Sequence, residues 1–141
     1  MTKKSAFVLA LAASLGLCAH AGDPVELLVT IDSGSPMSQG AALVLATQAQ
    51  EQKSKVRVLL CDAGGDIALA GKPGTVLKPR NVTPQQMLKN LIKNGGQVEV
   101  CALYLPNTGY QASDLIDGVS PAKPADVAAF FLKPNVRILS F

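Results

Sequence analysis

Two cysteines, Cys61 and Cys101, are the residues of this chain best placed to do chemistry. Cys101 ends the run Val98-Glu99-Val100-Cys101, which follows Gly95-Gly96 and reads as a buried strand after a helix stop. Cys61 ends Val56-Arg57-Val58-Leu59-Leu60-Cys61 in the same way, just before Asp62-Ala63-Gly64-Gly65. In open α/β sheets the carboxyl ends of the strands form the crevice where ligands bind. A thiol there is better sited for reaction than one in mid-core. Its reactive form is the thiolate, which exposed N–H groups of a following loop or helix favour. Tyr104 and Thr108 stand close enough in sequence to add hydrogen bonds. The competing reading is an inert core thiol, a common fate of cysteine. It weighs more on Cys61, which is the secondary candidate.

The two thiols can also join in a disulfide, and strand order decides whether they do. Neighbouring strands lie about 5 Å apart and allow a bridge, whereas an intervening strand sets the thiols about 10 Å apart and forbids it.

Other chemistries are narrowed by what the chain lacks. Met1-Thr2-Lys3-Lys4, the apolar run from Ala6 to Leu17 and Ala19-His20-Ala21 form a secretory signal peptide over residues 1–21, with cleavage after Ala21. The run is shorter than the roughly 20 apolar residues of a membrane-spanning helix. Leu15-Gly16-Leu17-Cys18 approximates a lipoprotein site, but Leu17 stands where a small residue belongs. The expectation is a periplasmic or secreted protein whose mature form, residues 22–141, is one domain without a membrane anchor. Its compartment is oxidising. His20 is the one histidine, and it leaves with the signal. A His general base, a Ser-His-Asp triad and a His-ligated metal are then excluded, and no metal or cofactor is expected. Loss of Lys3 and Lys4 leaves 11 basic against 10 acidic residues, a net charge of +1. Without a Lys/Arg cluster, no nucleic-acid partner is expected.

Gly65 to Gly71, followed by Lys72-Pro73, superficially resembles a phosphate loop. The glycines are one residue too far apart and Pro73 replaces the required Ser/Thr, so nucleotide binding is rejected. Asp32, Asp62 and Asp66 lie near strand ends and read as solvated turn residues. Lys72, Lys78 and Arg80 read as a solvated, mildly basic loop. Residues 63–82 read as a long surface connection, with a short helical turn at 67–70, and could serve as a lid over a small molecule.

The elements that must position the thiols alternate between strand and helix. Strands are expected at 25–31, 55–61, 97–103 and 136–141, with a short strand or extended link at 118–122. Ser35-Pro36 starts a helix to about Gln52, with Ala41, Leu43, Val44, Leu45 and Ala49 available for packing. Thr83-Pro84-Gln85-Gln86 is a capping box opening a helix whose apolar face is Met87, Leu88, Leu91 and Ile92, stopped by Gly95. Pro106-Asn107-Thr108-Gly109 is turn chemistry, Ser113 opens a brief helix to Ile116, and residues 125–132 form a helix with Val127, Phe130 and Phe131 inward. This alternation specifies a largely parallel α/β sheet of four or five strands with right-handed crossovers.

Cys101 with Gly109 eight positions on, the opening strand–loop–helix, Gly118-Val119 and an Arg137-containing terminal strand ending in Phe141 together resemble the DsrE/DsrF/TusD-like (DsrE-like) family. The resemblance spans about Val25 to Phe141. It implies a three-layer α/β/α sandwich and a sulfur-accepting thiol at Cys101 that carries sulfane sulfur as a persulfide. It also implies a sulfur donor or acceptor protein as partner, and assembly into a homo-oligomer. The rival expectation is a non-catalytic binding or assembly module that retains the fold.

Overall fold

The computed structural model describes residues 24–141, so the expected signal peptide lies outside the described residues. Five of the expected apolar runs pair into one sheet. They are β1 (Glu26–Ile31), β2 (Lys55–Leu60), β3 (Gln97–Val100), β4 (Val119–Pro121) and β5 (Val136–Ser140), in the order β4-β3-β2-β1-β5. Every neighbouring pair is parallel. Among the described residues the α-helices are α1 (Pro36–Glu51), α2 (Pro84–Lys93), α3 (Tyr104–Thr108) and α4 (Pro124–Phe131).

Crossover handedness sorts these helices between the faces of the sheet. From β1 to β3 the chain steps one way across the sheet, so right-handed crossovers place α1 and α2 on one face. The return from β4 to β5, beyond β1, puts α4 on the other. Strand alternation then assigns the side chains. Val29, Ile31, Val58, Leu60, Val98 and Val100 are buried together with Ala42, Leu43 and Ala46 of α1 and Leu88 and Leu91 of α2. The opposite positions Arg57 and Glu99 face α4: the Arg57 Nη1 donates to the Asp126 carbonyl at 3.0 Å, and its guanidinium lies 5.4 Å from the Phe130 ring centroid.

The α2 start is built as expected. Thr83 Oγ1 accepts from the Gln86 N–H, and the Thr83 N–H donates to Gln86 Oε1 at 2.8 Å. Two helices differ from expectation. In α1 the packed stripe is Gln39, Leu43 and Ala46 with Ala42 beside it, while Ala41, Val44 and Leu45 face outward. Alanines at 42 and 46 let the helix axis approach the sheet closely, and that approach selects the stripe. In α4 no residue is fully buried and Phe131 is 41% exposed. The sheet face toward this helix carries the buried Arg57 and Glu99 as well as Leu28, and Phe130 serves as a face for Arg57 and for Lys133, whose Nζ is 4.9 Å from the ring centroid.

Candidate functional site

Strands β2 and β3 are neighbours in register, Leu60 opposite Val100, so Cys61 and Cys101 form the next pair across at the carboxyl edge. Their Cα atoms are 5.0 Å apart and their sulfurs are joined in a disulfide. Each cysteine prolongs the ladder by one bond: the Cys61 N–H donates to the Ile31 carbonyl at 2.9 Å and the Cys101 N–H to the Leu60 carbonyl at 2.8 Å. Both are half-buried, and Cys101 also packs against the core. β3 ends at Val100, earlier than the strand to Leu103 expected from its composition, because the chain turns at Cys101 into α3, with the Tyr104 N–H donating to the Cys101 carbonyl at 2.9 Å.

The segments that follow the two cysteines are latched to each other a second time. After Cys61 the chain enters a 3-10 turn, Asp62–Ala68, instead of the surface loop and the 67–70 turn expected from sequence. This turn lies tight against the sheet edge: a Cβ on Gly64 would overlap the Ile31 carbonyl, and one on Gly65 would overlap the Tyr104 ring. Only glycine permits that approach. The Tyr104 hydroxyl, on a side chain whose residue is 4% exposed, donates to Asp66 Oδ1 at 2.7 Å. Asp66 Oδ2 accepts from Lys72 Nζ at 3.0 Å, and that ammonium lies 5.4 Å from the Tyr110 ring centroid. The bridge thus ties residue 61 to 101, and the tyrosine–carboxylate bond ties 66 to 104.

The electrostatics of this latch follow from burial and charge. Burial and the Asp66 carboxylate together push the Tyr104 phenol well above its ordinary value, which keeps it a proton donor. Burial alone would raise the Asp66 carboxyl, but the hydrogen bonds from Tyr104 and Lys72 outweigh it and hold the group below the ordinary 3.8. A carboxylate depressed in the folded state stabilises the fold above its unfolded value, and that contribution disappears as pH falls through the folded one. Tyr104→Phe is therefore expected to lower stability at neutral pH by about 1–2 kcal/mol, the range for a charge-assisted hydrogen bond to a partly exposed acceptor. In acid well below 3.8 the difference from the parent shrinks, and urea unfolding at the two pH values measures it.

Several sequence expectations are redrawn by this geometry. Neither Tyr104 nor Thr108 hydrogen-bonds to a sulfur: Tyr104 serves Asp66, and Thr108 Oγ1 donates to the Tyr104 carbonyl at 2.7 Å. Asp32 and Asp62 are exposed, as turn residues should be, whereas Asp66 and Lys72 are engaged partners. The opening part of the 63–82 connection packs against the sheet edge and is no lid, whereas most of residues 70–82 are exposed, as expected of a surface connection. Gly64, Gly65, Ile67, Ala68 and Leu69 are buried, and the buried Gln85 of α2 pins their strand of chain by donating to the carbonyls of Ile67, Leu69 and Lys72. Gln85 and the Asp66–Tyr104 contact were not identifiable from spacing; the one sequence signal was the Gly64-Gly65 pair, which marks a close approach without naming its partner. An open depression of about 360 Å³ lies beyond the latch, between Leu69–Lys72 and Tyr110, Ser113 and Asp114, and neither cysteine lines it. Among the described residues no three potential ligands cluster to hold a metal ion, and no helix is long and apolar enough to cross a membrane.

The architecture is that of a five-stranded parallel α/β protein carrying a cysteine pair at the mouth of its sheet. No protein-family model and no curated protein matches the chain. Among solved structures, the crystal structure of the ychN protein from E. coli aligns with a TM-score of 0.67 and 26% identity, covering 82% of this chain and 99% of that one. The protein of unknown function MTH1491 from Methanobacterium thermoautotrophicum aligns with a TM-score of 0.59 and 13% identity, covering 83% and 99%. The fold is DsrE-like.

Proposed function

We propose that this chain is an exported DsrE-like protein that handles sulfane sulfur: with its cysteine pair reduced, Cys101 takes up the sulfur as a persulfide. The observation that carries this reading is Cys101 itself, half-buried at the carboxyl edge of the sheet and directly followed by a turn into a new helix. In the step, the Cys101 thiolate attacks the outer sulfur of a donor persulfide. A new S–S bond forms at Cys101, the donor's S–S bond breaks, and the electron pair leaves on the donor thiolate. A protein donor or acceptor is the natural partner. Met37, in the first turn of α1, and Leu103, two residues after Cys101, are each 74% exposed and support docking at this edge, either by such a partner or by further copies of the chain.

The test uses Cys61→Ser, which leaves Cys101 as the one thiol of residues 24–141. Reduced, desalted Cys61→Ser protein treated with glutathione persulfide should gain the mass of one sulfur atom, mapped to Cys101, and Cys61→Ser/Cys101→Ser should gain none. Absence of that gain in folded protein overturns the reading.

A second reading, the non-catalytic module, is favoured by the bridge, which occupies the sulfur and locks both segments. Reductant and an alkylating agent applied without denaturant separate the two. Modification of both thiols supports sulfur handling; a pair that opens only in denaturant supports the module.

A further inference from the structure

The bridge has a consequence for any sulfur that Cys101 accepts. Resting on the persulfide reading above, we infer that Cys61 is a resolving thiol: it attacks the Cys101 persulfide, releases hydrosulfide and forms the Cys61–Cys101 bridge, so that the pair reduces sulfane sulfur instead of only carrying it.

The geometry argues for this from the backbone outward. The Cα atoms of residues 61 and 101 stand 5.0 Å apart, inside the range of about 4.4–6.8 Å that a disulfide spans without backbone movement. That separation is set by the β2–β3 register, Leu60 opposite Val100: the Cys101 N–H donates to the Leu60 carbonyl of β2, and Cys61 is held from its other side by its N–H bond to the Ile31 carbonyl of β1. Reducing the bridge leaves those bonds in place. A persulfide on Cys101 has its inner sulfur where the Cys101 sulfur of the bridge now sits, within reach of the Cys61 thiolate. Attack on the outer sulfur would only move the persulfide to Cys61, where Cys101 can return the attack. Attack on the inner sulfur expels hydrosulfide and ends in the bonded pair that the structure contains.

The balance closes without an external oxidant. The Cys61 thiolate supplies the electron pair of the new S–S bond, the bond between the inner and outer sulfurs breaks, and its electrons leave on hydrosulfide. The two cysteine sulfurs are oxidised to a disulfide and the sulfane sulfur is reduced to sulfide. A dithiol reductant then reopens the bridge to the two thiols and leaves as a disulfide, so that over the whole cycle the sulfane sulfur departs as hydrosulfide and the reductant carries away the oxidation. Preorganisation favours the intramolecular step over transfer to another protein, because the attacking sulfur is held at its target. A partner that takes the sulfur onward must therefore engage the persulfide before Cys61 does.

A single-turnover experiment separates this inference from the reading beneath it. Reduced, desalted wild-type protein, Cys61→Ser and Cys61→Ala are each given one equivalent of glutathione persulfide, with Cys61→Ser/Cys101→Ser as the background. Wild type should release about one equivalent of sulfide per chain above background, lose both free thiols and show the bridged mass. The two Cys61 variants should keep the added sulfur and release at least tenfold less sulfide. A wild-type protein that retains the added sulfur with Cys61 still alkylatable overturns the resolving role and leaves persulfide formation standing. No sulfur gain in either Cys61 variant, with circular dichroism showing both folded, overturns both.

Discussion

Opening the Cys61–Cys101 bridge lowers the unfolding free energy by about 3–4 kcal/mol, the chain-entropy expectation for the loop it closes. The two cysteines are 40 residues apart in sequence, so the cross-link removes a large set of conformations from the unfolded chain. The folded state loses little, because the ladder bonds of both cysteines, the Tyr104–Asp66 contact and the Gln85 bonds do not depend on it. The effect is thus exerted mainly through the unfolded ensemble. For a domain of this size it corresponds to a fall in Tm of about 10–20 °C. Thermal unfolding of oxidised protein, reduced protein and Cys61→Ser/Cys101→Ser checks this, and the last two should melt together. The reduced protein should remain folded at room temperature, since the loss is smaller than the typical stability of a domain, about 5–15 kcal/mol. A reduced state that stays folded is also what the sulfur chemistry requires, since only free thiols can accept or resolve a persulfide.

How far the sequence discloses this molecule depends on whether a feature is local. Helix starts are local: Thr83, Pro84 and Gln86 specify the capping box within four residues, and it forms as written. β1 is nearly as legible, because a strand buried on both faces reads as a nearly continuous apolar run. Strand order is different. It is set by how crossovers return to the sheet, and nothing within β2 or β3 states that they are neighbours. Sequence alone could therefore pose the Cys61–Cys101 bridge only as a condition, which the order β4-β3-β2-β1-β5 satisfies. The latch was less legible still. Asp66 and Tyr104 are 38 residues apart, and each has an ordinary local reading, as turn residue and as aromatic. The misassigned face of α1 has a different cause: Ala41, Val44 and Leu45 are as apolar as the stripe that packs, so periodicity leaves the rotation of the helix open by one position. The inward orientation expected of Phe131 failed because β2 and β3 present a charged pair to α4, and the pattern Lys-Val-Arg-Val followed by Gln-Val-Glu-Val hides a salt bridge inside two ordinary strands.

That pair carries the largest single-residue effect expected in this fold: Arg57→Met alone destabilises the protein by about 3–5 kcal/mol. Arg57 is 5% and Glu99 6% exposed, with the Arg57 Nε donating to Glu99 Oε2 at 2.6 Å. Removal of the guanidinium leaves a carboxylate shut away from water with no partner, and it also frees the Asp126 carbonyl and uncovers the Phe130 ring. Glu99→Leu errs in the opposite sense, stranding the guanidinium, and is expected to cost a similar amount. The double replacement Arg57→Met/Glu99→Leu strands no buried charge, and the Asp126 carbonyl loses only its bond from Arg57. It substitutes apolar side chains of comparable bulk on two adjacent strands, and its stability should return to within about 1 kcal/mol of the parent. Urea unfolding of the four proteins forms a double-mutant cycle, with a coupling energy of at least about 3 kcal/mol expected if the ions are held as a desolvated pair. Additive losses would mean that water reaches the pair in solution. The outcome bears on the site, because Glu99 lies two residues before Cys101 and Arg57 four before Cys61. A double variant with restored stability and an intact bridge would show that register between β2 and β3 is held by apolar packing, and that the charges contribute specificity instead of stability.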